Sequence, residues 1–456
     1  MIRVLFIVNL FLVACTSFAP IPEPPAGLNF NSGSQQVWRE NDLIWENYVG
    51  KRSHEYNANL DFNSQFRICS NTKLFTAVSI LQLVEAGKIA SIHDDIKDYL
   101  DDDDLLAFGL KTWCPVIINT TECQNITFVS LMAMSSGLVS GNACPYAPEA
   151  WEYKYCWDSD LNLIYPGSIA ATIRIFINVP LASVPGPRYS LNNATSNFLY
   201  TNENFILLSY FIEKLSGLSL DAYYQRYIFD VVGLGSAVYD PYSQAFKTIP
   251  NPVTEYYYYT DYTVSNQPFA LGTCASTEVN PGLQAGAGGI VMNVPDMVKW
   301  YSSLFLKQNT TVLTKSSIKL LSYPWAYEGA LKPIPQYYGL GLEMSFIVPP
   351  PELPSGFPQP AGIFYYGSSD CTFFSIAIWY STINPFNSSQ TLNTNPPLVS
   401  TAVANNRLLN VSRATWQTTR SQRAGTFMQS TADWSFLDFE ITLLLALNTL
   451  FYFAAM

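Results

Sequence analysis

Histidine is almost missing from this chain: its 456 residues include two, His54 and His93, both in polar, loop-like stretches. A Ser-His-Asp triad needs an imidazole beside an exposed serine, and no G-x-S-x-G elbow is present. Histidine-based metal chemistry is equally short of donors, and there is no C-x-x-C pair for zinc. No metal or other cofactor is therefore expected. Charge is scarce too. Only 13% of residues are charged, the net charge is -11, the isoelectric point is near 4.7, and no basic run occurs. That argues against nucleic acid, because phosphate binding takes clustered Lys and Arg. The glycine run at 285–289 lacks the lysine and spacing of a nucleotide loop. Without histidine, Lys and Tyr are the bases left to a hydrolase.

Apolar residues make up 48% of the chain, enough for a large core in two or three domains or in one domain with an insertion. The amino terminus, 1–19, reads as a secretory signal. Arg3 precedes an apolar run from Val4 to Ala14, and Ser17-Phe18-Ala19 offers small residues for cleavage. Leu12-Val13-Ala14-Cys15 gives a second reading, a lipoprotein signal lipidated at Cys15. Six N-x-[ST] sequons (Asn119, Asn125, Asn193, Asn309, Asn387 and Asn410) favour a glycosylated, secreted or extracellular chain. In the 426–456 tail, small residues Ser430-Thr431-Ala432 and a spacer to Glu440 precede the apolar run Ile441 to Met456. That order fits a GPI-attachment signal and hence membrane attachment; an ordinary buried C-terminal helix is the alternative.

Eight cysteines suit an oxidising compartment. Cys114 with Cys123, and Cys144 with Cys156, are near enough in sequence to close short loops. The acidic residues at Asp94-Asp95 and Asp101 to Asp104 read as a loop and helix cap, since a calcium loop would need spaced ligands around a glycine turn.

Along the chain, Gly27 to Gly50 is polar and turn-rich. Leu74, Ala77, Val78, Leu81 and Val84 recur at helical spacing and predict an amphipathic helix stopping near Gly87. Thr127 to Leu138 predicts a short helix ending at Gly137, and Phe205 to Leu215 a second amphipathic one stopping at Gly217. Tyr256 to Tyr259 reads as a loop. Asn293-Val294-Pro295-Asp296 is a capped helix start. Tyr338 to Gly341 and Phe364 to Tyr380 read as strands. Helices in the middle and strands at the end predict a mixed α/β (α+β) domain over about 25–425, an antiparallel sheet flanked by helices with a mainly helical insertion near 100–260.

One stretch carries chemistry: Phe66-Arg67-Ile68-Cys69-Ser70-Asn71-Thr72-Lys73-Leu74-Phe75-Thr76-Ala77. Residues three apart share a helix face, so the Ser70 hydroxyl and the Lys73 amine sit side by side, and a partly desolvated lysine can take the serine proton. Ser316-Ser317-Ile318-Lys319 repeats the pattern without any partner block downstream. The first match has such blocks: Leu83 to Lys88, Ser135-Ser136-Gly137-Leu138, Pro185-Gly186, Tyr200-Thr201-Asn202, Ile212 to Gly217, Ala287-Gly288-Gly289-Ile290 and Tyr338 to Gly341. In that order, over about residues 40 to 385, they resemble the serine β-lactamase and penicillin-binding-protein-like family, whose S-x-x-K motif the first stretch matches.

The resemblance implies a β-lactamase/transpeptidase-like fold and a hydrolase acting through a Ser70 acyl-enzyme on an ester, amide or peptide. It makes Ser70 the nucleophile, with Lys73 and Tyr200 sharing proton transfer at pKa values lowered by proximity and burial. Asn202 holds a substrate amide or carbonyl, and the N–H groups of Ser70 and Ser368 form the oxyanion hole. Where relatives carry K-T-G or H-x-G, this chain reads Tyr365-Tyr366-Gly367: the close backbone approach at Gly367 stays, the cation does not. The resemblance also implies a Cys69–Cys371 bridge, the alternative being two small buried side chains. The rival reading is a catalytically silent surface binding protein of the same fold.

Overall fold

In the computed structural model, strands from both ends of the chain meet in one antiparallel sheet. The structure describes residues 33–39, 42–53, 56–139, 168–187, 197–240, 249–253, 256–259, 270–273, 285–331, 334–345, 362–368, 373–379 and 398–404, all in one compact unit, 20–416. The signal at 1–19, the tail at 426–456, Cys15, His54, Cys144, Cys156, Cys371, Asn193, Asn387 and Asn410 lie outside the described residues.

The first strands are β1 (Gly33–Arg39), β2 (Asp42–Val49), β3 (Lys51–Ser53), β4 (Ala58–Asn59), β5 (Gln65–Arg67), β6 (Val238–Tyr239), β7 (Tyr256–Tyr259) and β8 (Ala270–Thr273). β9 (Ile290–Asn293), β10 (Ala326–Leu331), β11 (Ile334–Tyr338), β12 (Glu343–Ser345), β13 (Gly362–Ser368), β14 (Phe373–Trp379) and β15 (Leu398–Ala404) follow. The large sheet runs β10-β11-β12-β13-β14-β15-β1-β2, and a small one runs β5-β9-β6. The helices are α1 (Thr72–Glu85), α2 (Asp102–Ala107), α3 (Phe128–Met132), α4 (Ile169–Phe176), α5 (Glu203–Ser216), α6 (Leu220–Tyr224), α7 (Asp230–Val232), α8 (Val294–Phe305) and α9 (Lys315–Leu321). Among the described residues no helix is long and apolar enough to cross a membrane.

The expected mixed α/β architecture is present, with local corrections. The turn-rich reading of Gly27 to Gly50 gives way to β1 and β2. β1 is paired on both sides, so even its polar residues are buried. Gln36, at the centre of the strand, is fully bonded: its Nε2 donates to the Tyr48 hydroxyl at 2.8 Å and its Oε1 accepts from Trp38 Nε1 at 2.9 Å. Tyr256 to Tyr259 is a strand, β7, paired with β8. The helix from Thr127 stops at Met132, because Met134 turns left-handed (φ 55°) and its carbonyl accepts from Leu199 N instead. Of the stretch Tyr338 to Gly341, Tyr338 ends β11 as expected, but 339–342 is the turn into β12, with Gly339 N donating to Leu342 O at 2.8 Å and Gly341 at φ 73°.

α1 departs from its predicted amphipathic character in an informative way. Every residue from Thr72 to Leu81 is buried, polar ones included, because α5, α9 and the 285–289 turn surround it. Phe75 stacks on Trp300 of α8 with ring centroids 4.4 Å apart.

The acidic patch is a helix cap, as expected. Asp101 and Asp104 form a capping box on α2, and Lys214 of α5 bonds both carboxylates. Buried Asp104 also accepts from the Tyr210 hydroxyl at 2.6 Å. Asp104→Ala takes one of its two carboxylates from Lys214, leaves the Tyr210 phenol and the Asp101 N–H without their acceptor, and should lower stability by about 2–4 kcal/mol, read from the urea midpoint. A loss below about 1 kcal/mol would mean that the network is only decoration.

Cys114 and Cys123 are joined as a disulfide. Of the described sequons, Asn119 and Asn125 are exposed, while Asn309 bonds the hydroxyl of its own Thr311.

Candidate active site

The site is built where β5 runs into α1. β5 pairs with β9, and Ile68 N continues that ladder by donating to Ile290 O at 3.0 Å. The chain then turns sharply through Cys69, whose φ of 50° is left-handed, into a single 3₁₀ turn, Cys69–Asn71. Ser70 therefore stands just ahead of the α-helix rather than within it. Two bonds hold this turn: Asn71 Nδ2 donates to Ile68 O at 3.0 Å, and Tyr301 donates to Asn71 Oδ1 at 3.2 Å.

Lys73, in the first turn of α1, is wholly buried. Its Nζ donates to Ser70 Oγ at 2.9 Å, Asn202 Oδ1 at 2.8 Å and Ala287 O at 2.9 Å. The Tyr200 ring centroid lies 5.0 Å away and that of Phe205 5.7 Å, distances at which a ring face favours a cation. Burial drives the amine the other way and lowers its pKa from 10.5 to about 7, against the opposing charges of Cys69 and Glu203.

This geometry decides what the lysine can do. A carbonyl and an amide oxygen can only accept, so Ala287 O and Asn202 Oδ1 claim two N–H hydrogens in either protonation state. When the amine loses its third proton, the lone pair is left facing Ser70 Oγ. That is the arrangement of a base beside a nucleophile.

Tyr200 sits at the mouth, 41% exposed, its ring edge-on to Tyr338 at 6.2 Å. The expectation that burial acts on both Lys73 and Tyr200 is corrected, because only the lysine is enclosed. Asn202 is the residue on which α5 starts, its carbonyl accepting from Phe205 N at 2.9 Å and Ile206 N at 3.0 Å. The 135–138 loop is tied to the same helix by Ser136 Oγ donating to Asn204 Oδ1 at 2.5 Å.

β13 carries Tyr365, Gly367 and Ser368, in register with Ile376, Phe374 and Phe373 of β14, and packs beside the Cys69–Asn71 turn. The structure thus gathers Ser70, Lys73, Tyr200 and Asn202 in one place, with the strand of Tyr365, Gly367 and Ser368 alongside. Cys69 is buried in the turn; its expected partner, Cys371, lies outside the described residues. Ser316 and Lys319 are on α9 and exposed.

Comparison with known proteins accords with this geometry. The beta-lactamase family model matches residues 26–412. The chain belongs to the beta-lactamase family. Among solved structures it is similar to the octameric penicillin-binding protein homologue from Pyrococcus abyssi, at a TM-score of 0.61 and 16% identity, covering 93% of this chain and 77% of that one. It is also similar to EstCE1, described as a hydrolase with promiscuous acyltransferase activity, at a TM-score of 0.59 and 14% identity, covering 91% and 96%. Among curated proteins, N-acetylmuramyl-L-alanine amidase of Bacillus subtilis (strain 168) is 24% identical over 209 residues, 46% of this chain and 41% of that protein. The chain spans less than half the length of the curated relatives it matches.

This member of the beta-lactamase family contains site groups that sequence reasoning passed over. The Ala287 carbonyl is one; the glycine run around it was its only signal. Gly286 passes so close to α1 and α5 that a Cβ there would lie 2.5 Å from Thr76 Oγ1 and 2.3 Å from Ser209 Oγ. Thr76 Oγ1 donates to Gly286 O at 2.6 Å, and Gly286 N donates to Ser209 Oγ at 2.9 Å, so the run is fixed between the two helices. Glu203, buried one residue beyond Asn202, is another.

Proposed function

We propose that this protein is a serine hydrolase that acylates Ser70 with an ester or a neutral amide or peptide. The observation that carries the reading is the Lys73 amine, buried and 2.9 Å from Ser70 Oγ. Unprotonated Lys73 takes the Ser70 proton as Oγ attacks the substrate carbonyl. The N–H groups of Ser70 and Ser368 receive the developing oxyanion, a contribution of about 10²–10³ in rate per donor. Tyr200 and Lys73 return the proton to the leaving group, Asn202 holds the acyl side, and water then frees Ser70. Tyr365 stands where relatives carry a cation, which favours substrates without a carboxylate at that end. The Cys114–Cys123 disulfide supports an oxidising compartment, and with the signal-like 1–19 segment we place the protein outside the cell, attached to the membrane through its 426–456 tail.

A fluorophosphonate probe tests the reading. Wild type should form a stoichiometric adduct and Ser70→Ala none. The labelling rate should rise with pH through a midpoint of about 7, because the active form of Lys73 is the unprotonated amine and its proton leaves there. Folded wild-type protein that never labels would favour the silent binding protein.

A further inference from the structure

Glu203 is the first residue of α5, and it is wholly buried. The equally buried Thr201 hydroxyl donates to its Oε2, and the backbone N–H of Glu203 points back to Thr201 Oγ1 at 3.4 Å. The first turn of a helix favours a negative charge, and the Thr201 hydroxyl supplies a donor to it. Glu203 adjoins Asn202, whose amide oxygen accepts a hydrogen bond from Lys73 Nζ. Nucleophile, base and oxyanion hole account for no such group.

The structure assigns Glu203 as a positioning residue for Lys73: held by Thr201, its charge stabilises the ammonium form and so sets the pH at which the base becomes available. This rests on the acyl-enzyme reading above.

Other groups around the amine are differently placed to do this. Cys69, on the turn before α1, acts on the amine in the same sense, but Glu203→Gln leaves it in place, so the shift in that variant reports Glu203 alone. Tyr200 precedes α5, and β13 brings Tyr365 and Tyr366 in its sequence. Tyr301 of α8 bonds Asn71, and Tyr224 of α6 bonds Thr76, to either side of Lys73. The 285–287 turn contributes carbonyls, and the 339–342 turn has no titratable side chain. Lys315 and Lys319 of α9 are exposed. Glu203 is the carboxylate in this set, and its charge opposes the fall that burial imposes on the amine.

The test is the pH profile of fluorophosphonate labelling on the full chain. Glu203→Gln keeps size and polarity but removes the charge, so the ammonium loses support and the acid limb should move down by about one pH unit. Below neutral pH the variant should therefore label several-fold faster than wild type. Glu203→Asp keeps the charge and should return the limb towards the wild-type position. Thr201→Val removes the hydroxyl donor to the Glu203 carboxyl group and should shift the limb the same way, by less. A wild-type limb in Glu203→Gln, or in Thr201→Val should the first variant not fold, overturns the assignment, as does a Glu203→Asp limb displaced as far as that of Glu203→Gln. Wild type that fails to label at all sinks the acyl-enzyme reading itself; wild type that labels, with an unmoved variant limb, sinks only the role of Glu203.

Discussion

Lys73→Met is expected to slow Ser70 acylation by about 10²–10⁴-fold while leaving the protein folded. Methionine follows the course of the lysine stem and fills most of its volume within α1, so no large cavity opens. What disappears is the lone pair facing Ser70 Oγ. The variant also removes the donor from half-buried Asn202 Oδ1 and from buried Ala287 O, the latter at a cost of about 1–3 kcal/mol. Against that loss, a charge no longer has to be desolvated at the centre of the molecule. The two effects oppose one another, so stability should change far less than rate. Lys73→Arg should be as inactive as the methionine variant, since a guanidinium keeps its proton at any usable pH. Probe labelling under single-turnover conditions measures the rate and urea denaturation the stability. A Lys73→Met protein that acylates within tenfold of wild type would remove lysine from the mechanism.

Gly341→Ala should damage stability and acylation together. Gly341 has φ 73°, and a Cβ there would come 2.6 Å from the Lys73 carbonyl oxygen and 3.0 Å from Ala77 Cβ. The first contact is with backbone inside α1, which has no rotamer to change, so helix or turn must shift. Left-handed strain and overpacking each cost about 1–3 kcal/mol, and we expect a combined loss of about 2–6 kcal/mol with a parallel loss of acylation as Ser70 is displaced. Gly87 provides the control. It is also left-handed, at φ 68°, but a Cβ there meets nothing within 4 Å. Gly87→Ala should cost only the strain, about 1–2 kcal/mol, with acylation unchanged. If both variants fall by the same amount, the close approach of the 339–342 turn to α1 has no energetic weight.

Much of the site is legible in the sequence because its groups are held by local rules. Ser70 and Lys73 are close in the chain, Tyr200 and Asn202 directly precede a strongly periodic helix, and Gly217 ends that helix in the left-handed conformation its spacing predicts. Long-range facts are not written locally. Ala287 reaches Lys73 through backbone, which leaves no side-chain signature. The burial of α1 on all sides depends on α5, α9 and the glycine run arriving together, so its own periodicity, read as amphipathic, understates it. β1 was hidden for the same reason: Ser34, Gln35 and Gln36 read as a polar turn until neighbours on both edges enclose them. Tyr256 to Tyr259 is strand-like in composition, but its partner β8 carries no comparable signal. Glu203 could have been noticed as an acid opening an apolar helix, though nothing in the sequence tells which base it faces.

The place of β1 in the sheet has a consequence for how the chain is made. Its neighbours are β2, the next strand to emerge, and β15, at Leu398–Ala404, nearly the last of the described residues to be synthesised. At about 5–20 residues per second the β1–β2 hairpin waits tens of seconds on the ribosome with one edge open. The helices that cradle Lys73 emerge during that interval and can pack first. The nascent protein thus carries an adhesive strand edge through most of its translation, the kind of edge that holding chaperones cover and that aggregation exploits. Final closure of the sheet is left to a step that follows synthesis of almost everything else.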